Sequence, residues 1–462
     1  MRAGQRTADR RLGRDFHAVQ AAAFLNGVGT RCGQLAVAWW SLGETGSPAV
    51  FSGFVALGTA AEIGTRGLLG RLGDTYRPDR LIALCYLLSS ATVAVLAALY
   101  AGGLYHPLVL ALGLALLGLS NGVREPLQTT VVRALVPVRQ VEQAMRRRGS
   151  VTSITSLLGP IVASVLLGLW GTGPTLAVNA AAVACGLVLM RTVRTTTPAR
   201  RGPGSGERSR LRTWYRGTRE GFGALYRIKS EFHLALLALV VNLGLYPVFA
   251  VLLPSLTRRE FPHATWLVGI VEGAFGAGLL LGSLGAVARL TRPFGRFTVV
   301  IGGFGLTGGA ILCSGIAGRA VTRDPALLAA VLVPCFLVGG IGLIMITVTT
   351  STVRVLATPE GMRNRITSSA AFLSGLAVPL GNVLGGVLAQ GVGEAMALTV
   401  FGALIIAATV TGSRSSGLRR VLTLPDDALP DAYPRLYPRA FRATPDSPAR
   451  PGAGPRTGPC PR

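Results

Sequence analysis

Twelve apolar runs, each about as long as a bilayer is thick, constrain this chain more than any other feature. They lie at about 17–42, 48–71, 80–102, 107–132, 149–170 and 174–192, then at 232–256, 264–289, 297–318, 326–354, 366–390 and 393–412. A helix needs roughly 20 apolar residues to cross the hydrocarbon core. Backbone groups that face lipid must satisfy their hydrogen bonds internally, so runs of this length are helices. Only 14% of the residues are charged, against about 25% in a soluble domain. A soluble fold is thereby excluded. The predicted fold class is an all-α membrane protein whose twelve transmembrane helices form two six-helix bundles.

The charge excess is large, 46 Lys and Arg against 20 Asp and Glu for a net +26. On a soluble protein it would suggest nucleic acid; here the cations are sorted by loop. Arg2–Arg14, Arg71/Arg77/Arg80, Arg133–Arg148, Arg191–Lys229, Arg289/Arg292/Arg296 and Arg354/Arg363/Arg365 fall on one side, while the opposite loops hold Arg258, Arg259, Arg319 and Arg323. The positive-inside rule then places both termini in the cytoplasm. The expected partner is the lipid bilayer of the plasma membrane, with no nucleic acid. The arginines before the first run superficially resemble a secretion signal. That run, however, exceeds the 7–15 residues of a signal peptide and contains Arg31, so it reads as a retained span.

These boundaries divide the chain into a cytoplasmic N-terminal segment (1–16), a first bundle (17–192), a basic linker (193–230), a second bundle (231–412) and a tail (413–462). In the linker, Leu211, Trp214, Tyr215, Phe222, Leu225 and Tyr226 recur at roughly helical spacing among arginines. Two readings stay open: a helix lying on an anionic leaflet, or a disordered basic connection. The tail, rich in Pro and Arg, is expected to be disordered because it cannot build a core.

Cofactor chemistry finds no foothold. Cys32, Cys85, Cys185, Cys313 and Cys335 lie singly within apolar runs, Cys460 lies in the tail, and no pair has metal-ligand or redox spacing. His17, His106, His233 and His263 sit near helix ends rather than together. No Gly-rich Lys motif for ATP is present, and no acid–base–nucleophile set appears. The expectation is a protein that is not an enzyme and has no cofactor and no metal.

Internal repetition gives the layout more meaning. Gly67-Leu-Leu-Gly70 at the end of run 2 is echoed by Gly282-Ser-Leu-Gly285 at the end of run 8. Leu158-Gly159-Pro160 in run 5 is echoed by Val378-Pro379-Leu380-Gly381 in run 11. Each pair is six helices apart, so the halves are parallel repeats joined by a long cytoplasmic linker, the plan of a transporter with two rocking bundles.

With these motifs the chain resembles the major facilitator superfamily. Gly70, Leu72, Asp74 and Arg80 match that family's loop after helix 2, while Thr75, Arg77 and Pro78 depart from it. Gly118-Leu-Ser-Asn121-Gly122-Val-Arg124-Glu125-Pro126, Leu135-Val136-Pro137, Thr45-Gly46-Ser47 and Pro359-Glu360-Gly361 are similar to the drug and siderophore exporter branch. The resemblance implies a cytoplasmic gate at Gly70, Asp74, Arg77 and Arg80, a cavity lined by helices 1, 4, 7 and 10, and proton antiport. The branch's intramembrane arginine of helix 4 would fall on Gly118, and its helix-5 Gly-Gly is Ala163-Ser164 here. Gly159, Pro160, Pro379 and Gly381 are expected at helix-packing positions.

Ionisable residues within the bilayer are costly, roughly 2.5–3.5 kcal/mol each on insertion scales, and are functional candidates for that reason. Glu62, Glu272, Arg31 and Arg66 are the proton-coupling candidates. Glu62 and Arg66 share a helix face at i, i+4. Glu62 is read either as a proton carrier tuned by Arg31 or Arg66, or as half of a permanent ion pair. Glu272 has no neighbouring cation in sequence. Arg124 and Glu125, near the cytoplasmic end, are read as a pair that stabilises the inward gate. On the implied cavity helices the substrate candidates are Asn26, Gln34, Asn121, Asn242, Tyr246, Thr347 and Thr350. The expected activity is proton-coupled export of small amphipathic or hydrophobic molecules by a monomer. Import of a nutrient, flipping of a lipid, or a non-transporting membrane scaffold are the alternatives.

Overall fold

The long apolar runs close their backbone hydrogen bonds within themselves. The computed structural model describes residues 13–69, 77–137, 140–193, 221–320 and 324–441, and these contain helices and no strand. The first six helices are α1 (Arg14–Thr45), α2 (Pro48–Leu69), α3 (Pro78–Ala101), α4 (Pro107–Leu135), α5 (Val141–Trp170) and α6 (Thr172–Thr192). The second six are α7 (Lys229–Glu260), α8 (Trp266–Leu281), α9 (Val287–Ala320), α10 (Pro325–Ala357), α11 (Glu360–Gly375 and Ala377–Val392) and α12 (Glu394–Ser413). Ten of these segments are long and apolar enough to cross a membrane. The other two, α1 and α2, have 32 and 22 residues and carry Arg31, Glu62 and Arg66.

Prolines and glycines shape the helices locally. Pro247 offers no N–H, and α7 continues from it through a π turn at Val248–Leu252. Gly295, at φ 76° and ψ 160°, breaks the helical path inside α9 and turns the chain between crossings. Large side chains on the outer surface stay uncovered: Leu84, Leu108, Leu169, Val188 and Leu380 are each more than half exposed. An apolar girdle of this kind is stable in lipid and a liability in water.

The two halves repeat the same packing. Helix α1 lies against α5 and α6, α2 against α4, and α3 against α4 and α6; six helices later the same partners recur as α7 with α11 and α12, α8 with α10, and α9 with α10 and α12. The α2–α4 crossing is close because a Cβ on Gly118 would stand 2.1 Å from the Gly58 carbonyl oxygen. In the second half a Cβ on Gly340 would stand 2.3 Å from the Phe275 oxygen, where α10 crosses α8. Only glycine permits such an approach.

Two expectations change here. The tail is in part ordered: α13 (Ser416–Leu422), α14 (Ala432–Leu436) and α15 (Pro438–Phe441) fold onto the second bundle. Leu418, Val421, Leu422, Leu429 and Tyr433 are all buried in the main core of that bundle. A segment too polar to build its own core is ordered by joining an existing one. The end of the linker behaves similarly: residues 221–227 are helical, with Ala224, Leu225 and Ile228 buried and Phe222 in edge contact with Phe372, ring centroids 6.0 Å apart. Tyr226 stays outward, 70% exposed. Residues 1–12, the linker over 194–220 and the tail beyond 441 lie outside the described residues, as do Gly70 and Asp74.

Candidate functional site

Several ionisable residues of the first bundle gather between α1, α2 and α4. Arg66 of α2 makes salt bridges to Glu62 on its own helix and to Glu125 of α4. One cation between two carboxylates leaves a group with a net charge of −1, half open to solvent at Arg66 and Glu125. Its neighbour behaves differently. Arg124 is buried, donates to Asn26 Oδ1 at 2.8 Å and to Asn121 Oδ1, and lies 5.0 Å from the centroid of the Tyr86 ring. Successive residues on a helix point about 100° apart and do not face each other, so Arg124 and Glu125 take separate partners and do not pair with each other. Arg124 is buried in the bundle, while Glu125 is 56% exposed and reaches Arg66.

A second charge pair joins the halves. Arg31 Nη1 of α1 stands 3.9 Å from Glu272 Oε2 of α8, with the guanidinium also donating to Gln34 Oε1 at 3.4 Å. Glu272 is only 13% exposed and Arg31 42%. The pair supplies the cation that Glu272 lacks in the linear sequence. Gly159 makes room for it: a Cβ there would lie 2.9 Å from Arg31 Cγ, so α5 passes directly against the stem of the arginine. Tyr246 of α7 is half exposed and lies within electrostatic reach of Arg31, Glu62, Arg66 and Glu125. The phenol brings the second bundle to the charges of the first.

Between bundles, α5 packs along α8 and α2 along α11. Contacts among the described residues run from the arginine-poor ends inward. Arg258 lies 5.9 Å from the Trp39 ring centroid, Leu42 and Phe51 pack with Val251, Ser47 Oγ donates to Gln390 at 2.9 Å, and Thr265 donates to the Ser164 carbonyl at 3.1 Å. Further in, a Cβ on Gly276 would stand 3.0 Å from the Ser156 oxygen, and Asn382 donates to Thr59 at 3.4 Å. The charged cluster lies inward of these contacts.

The remaining predicted positions are scattered. Asn26 and Asn121 are committed to Arg124 inside the first bundle, and Asn242 donates to the Ser374 carbonyl at 2.9 Å between α7 and α11. Thr347 and Thr350 return their hydroxyls to Leu343 and Ile346 on their own helix. Gln34 is exposed beside Arg31. Arg77 pairs with Asp79 at 2.9 Å, and Arg80 is exposed at the start of α3. Gly381 lets α11 approach α7, where its Cβ would be 2.3 Å from the Leu243 oxygen; Pro160 and Pro379 lie within α5 and α11.

Two buried charge groups escaped sequence reasoning. At the arginine-rich end, Glu231 of α7 is fully buried, accepts from Arg354 Nε of α10 at 2.8 Å and from the Tyr433 hydroxyl of the tail at 2.5 Å. Burial first, and then the Glu231 carboxylate, hold the Tyr433 phenol well above the ordinary tyrosine range. At the opposite end, Glu394 of α12 accepts from Ser255 at 2.7 Å and from Arg259 at 3.1 Å. Each lies at a span boundary, where a charge in the sequence looks solvated. Their only sequence signal is an acidic residue at the start of an apolar run.

Comparison with known proteins places this arrangement. The profile of the Major Facilitator Superfamily matches residues 21–382. No curated protein matches the sequence. Among solved structures, a bacterial homologue of the iron transporter ferroportin in an inward-facing state superposes with a TM-score of 0.67 at 16% identity, over 90% of this chain and 100% of that one. The nucleoside transporter NupG gives 0.66 at 14%, over 89% and 100%, and the POT family transporter PepTSo gives 0.67 at 12%, over 90% and 99%. At such identities the likeness is one of fold. The family profile spans most of the chain, from within α1 to the middle of α11, and the chain belongs to the major facilitator superfamily.

Proposed function

We propose that this protein is a secondary active exporter that moves small amphipathic or hydrophobic molecules outward in exchange for protons, by alternating access of its two bundles. The observation that carries the reading is the Arg31–Glu272 pair, one partner in each bundle. Opposite charges on the two bundles favour the arrangement in which they meet. A proton on Glu272 cancels the carboxylate charge and releases Arg31, so protonation state and bundle separation are linked. The Glu62–Arg66–Glu125 group, with its net −1, is neutralised by one proton and gives a second acceptor facing the same cavity. Charged groups among aliphatic helices fit a solute with both polar and apolar parts.

The test is uptake of a cationic dye into inside-out vesicles carrying the full chain, with an imposed acid lumen. Accumulation should require the gradient and collapse with a protonophore. Dye movement that ignores the gradient would overturn proton coupling, and gradient-driven transport at full rate in Glu272→Gln would remove that carboxylate from the mechanism. Uptake driven in the reverse direction would identify an importer.

A further inference from the structure

At the arginine-rich end of the second bundle, away from the cavity between bundles, α7, α12 and the folded tail enclose a pocket of about 860 Å³. Its outer part carries Lys229 and His233 of α7, Arg414 just after α12, Arg420 of α13 and Tyr437. Its inner part is apolar, with Leu236 and Val240 of α7 facing Ala408 of α12. The division follows membrane depth: cations at the level where α7 begins and α12 ends, aliphatic groups two to three turns further in.

Among the described residues these cations have no carboxylate counter-ion. Other arginines of this rim are neutralised, Arg354 by Glu231 and Arg296 by Asp426. Lys229, Arg414 and Arg420 make no salt bridge to a carboxylate among the described residues. His233 donates from Nδ1 to the Lys229 carbonyl oxygen at 2.5 Å, which leaves Nε2 available. Three like charges around one pocket repel each other, and the repulsion is relieved by an anion. The tail is part of the construction: α13 is held by the buried Leu418, Val421 and Leu422, and α14 by Tyr433 on Glu231, so Arg420 and Tyr437 are brought to the pocket by a segment that composition alone would leave loose.

We infer that this pocket is a binding site for an anionic phospholipid of the arginine-rich leaflet, its phosphate ester among Lys229, Arg414 and Arg420 and an acyl chain along Leu236, Val240 and Ala408. Basic pockets between helix ends on the cytoplasmic side suit such headgroups. A free phosphate shares the headgroup chemistry but makes no use of the apolar inner wall, and the volume exceeds what it fills. The site is independent of the transported solute, because its residues lie within one bundle and move with it.

The test uses native mass spectrometry of the purified full chain offered equal amounts of dioleoyl phosphatidylglycerol and dioleoyl phosphatidylcholine. The wild type should retain phosphatidylglycerol in roughly tenfold preference or more. The triple variant Lys229→Gln, Arg414→Gln, Arg420→Gln, whose three side chains are exposed and support no core contact, should lose that preference. Arg146→Gln, Arg147→Gln, Arg289→Gln, with the same charge change elsewhere on the face, should keep it. Equal retention by wild type and the pocket variant overturns the assignment, as does equal loss in both triple variants, which would make the preference a property of the whole basic face. Inorganic phosphate titrated into lipid-stripped protein separates the two sources. Binding no tighter than the millimolar range fits a lipid site. Tighter binding that the pocket variant abolishes would make it a soluble-phosphate site and overturn the lipid assignment.

Discussion

The two bundles share a packing plan and differ in where they keep their charges. The first gathers Arg31, Glu62, Arg66, Arg124 and Glu125 toward its interior on three helices, and keeps one buried carboxylate, Asp79 with Arg77, at the start of α3. The second places one carboxylate there, Glu272, and moves its other buried charges to its two ends, as Glu231 with Arg354 and Tyr433, and Glu394 with Arg259. At the ends, a buried ion pair welds helix termini and tail into one rigid body. Further in, Arg31 and Glu272 have one partner in each bundle, so that pairing depends on how the bundles sit, whereas Arg66 finds both its partners within the first bundle. The shared plan is glycine-mediated crossing; the difference is what each bundle contributes to a cycle.

Breaking an end should cost stability, and breaking the middle should cost coupling. The largest effect is expected from Glu231→Ala, which leaves Arg354 unpaired at a buried site and should destabilise the protein by about 3–5 kcal/mol. Thermal unfolding of the purified chain measures it, and an unchanged transition would show that the rim is not held by this group. Next comes Tyr433→Phe, which removes a hydrogen bond to a buried carboxylate, worth about 1.5–3 kcal/mol. The same variant tests a pH dependence. The folded chain holds the phenol's proton above the ordinary tyrosine range, so the unfolded chain loses it first, near pH ~10. The contribution is therefore complete below about pH 10 and falls as pH rises above it. The alkaline loss of stability should be shallower in Tyr433→Phe, and equal slopes would exclude the linkage.

In the middle, Glu272→Gln should lower gradient-driven transport about tenfold or more, a change of ~1.4 kcal/mol, while leaving the melting transition near that of the wild type. A melting loss as large as that of Glu231→Ala would mean that Glu272 is a structural weld like the ends, and the contrast between bundles would fail. The smallest effect is expected from removing residues 442–462, a stretch rich in Pro and Arg; stability should change by no more than about 0.5 kcal/mol. Truncation after Ser413 should instead behave like Glu231→Ala, since it removes Tyr433 and the buried leucines of α13.

Much of the fold was legible in the residues, and the reasons are local. A run of apolar residues needs no partner to declare itself a membrane helix, and loop arginines declare a side without reference to the rest of the chain. The repeat was visible because Gly159-Pro160 and Pro379-Leu380-Gly381 recur six helices apart. Gly118 also gains a physical reading: with the Gly58 oxygen 2.1 Å from where its Cβ would be, no arginine fits there, and the buried guanidinium of α4 comes from Arg124. The candidate site was legible in one pairing, Glu62 with Arg66 at i, i+4, and not in the pairings between helices. Glu272 looked unpaired because its cation is on α1, and Arg124 with Glu125 looked like a pair because sequence proximity hides the 100° between their directions.

Length and hydropathy along the chain thus determined by themselves that this protein is a helical membrane protein in two halves, and how its charges are sorted. Both follow from transfer free energies, which each segment expresses alone. Tertiary structure alone decided that Arg31 faces Glu272, that Arg66 is shared by two carboxylates, and that a Pro-rich tail folds so that Tyr433 can reach Glu231, 202 positions away. Those outcomes depend on a few ångströms of separation between helices, and only packing sets distances between segments that are remote in sequence.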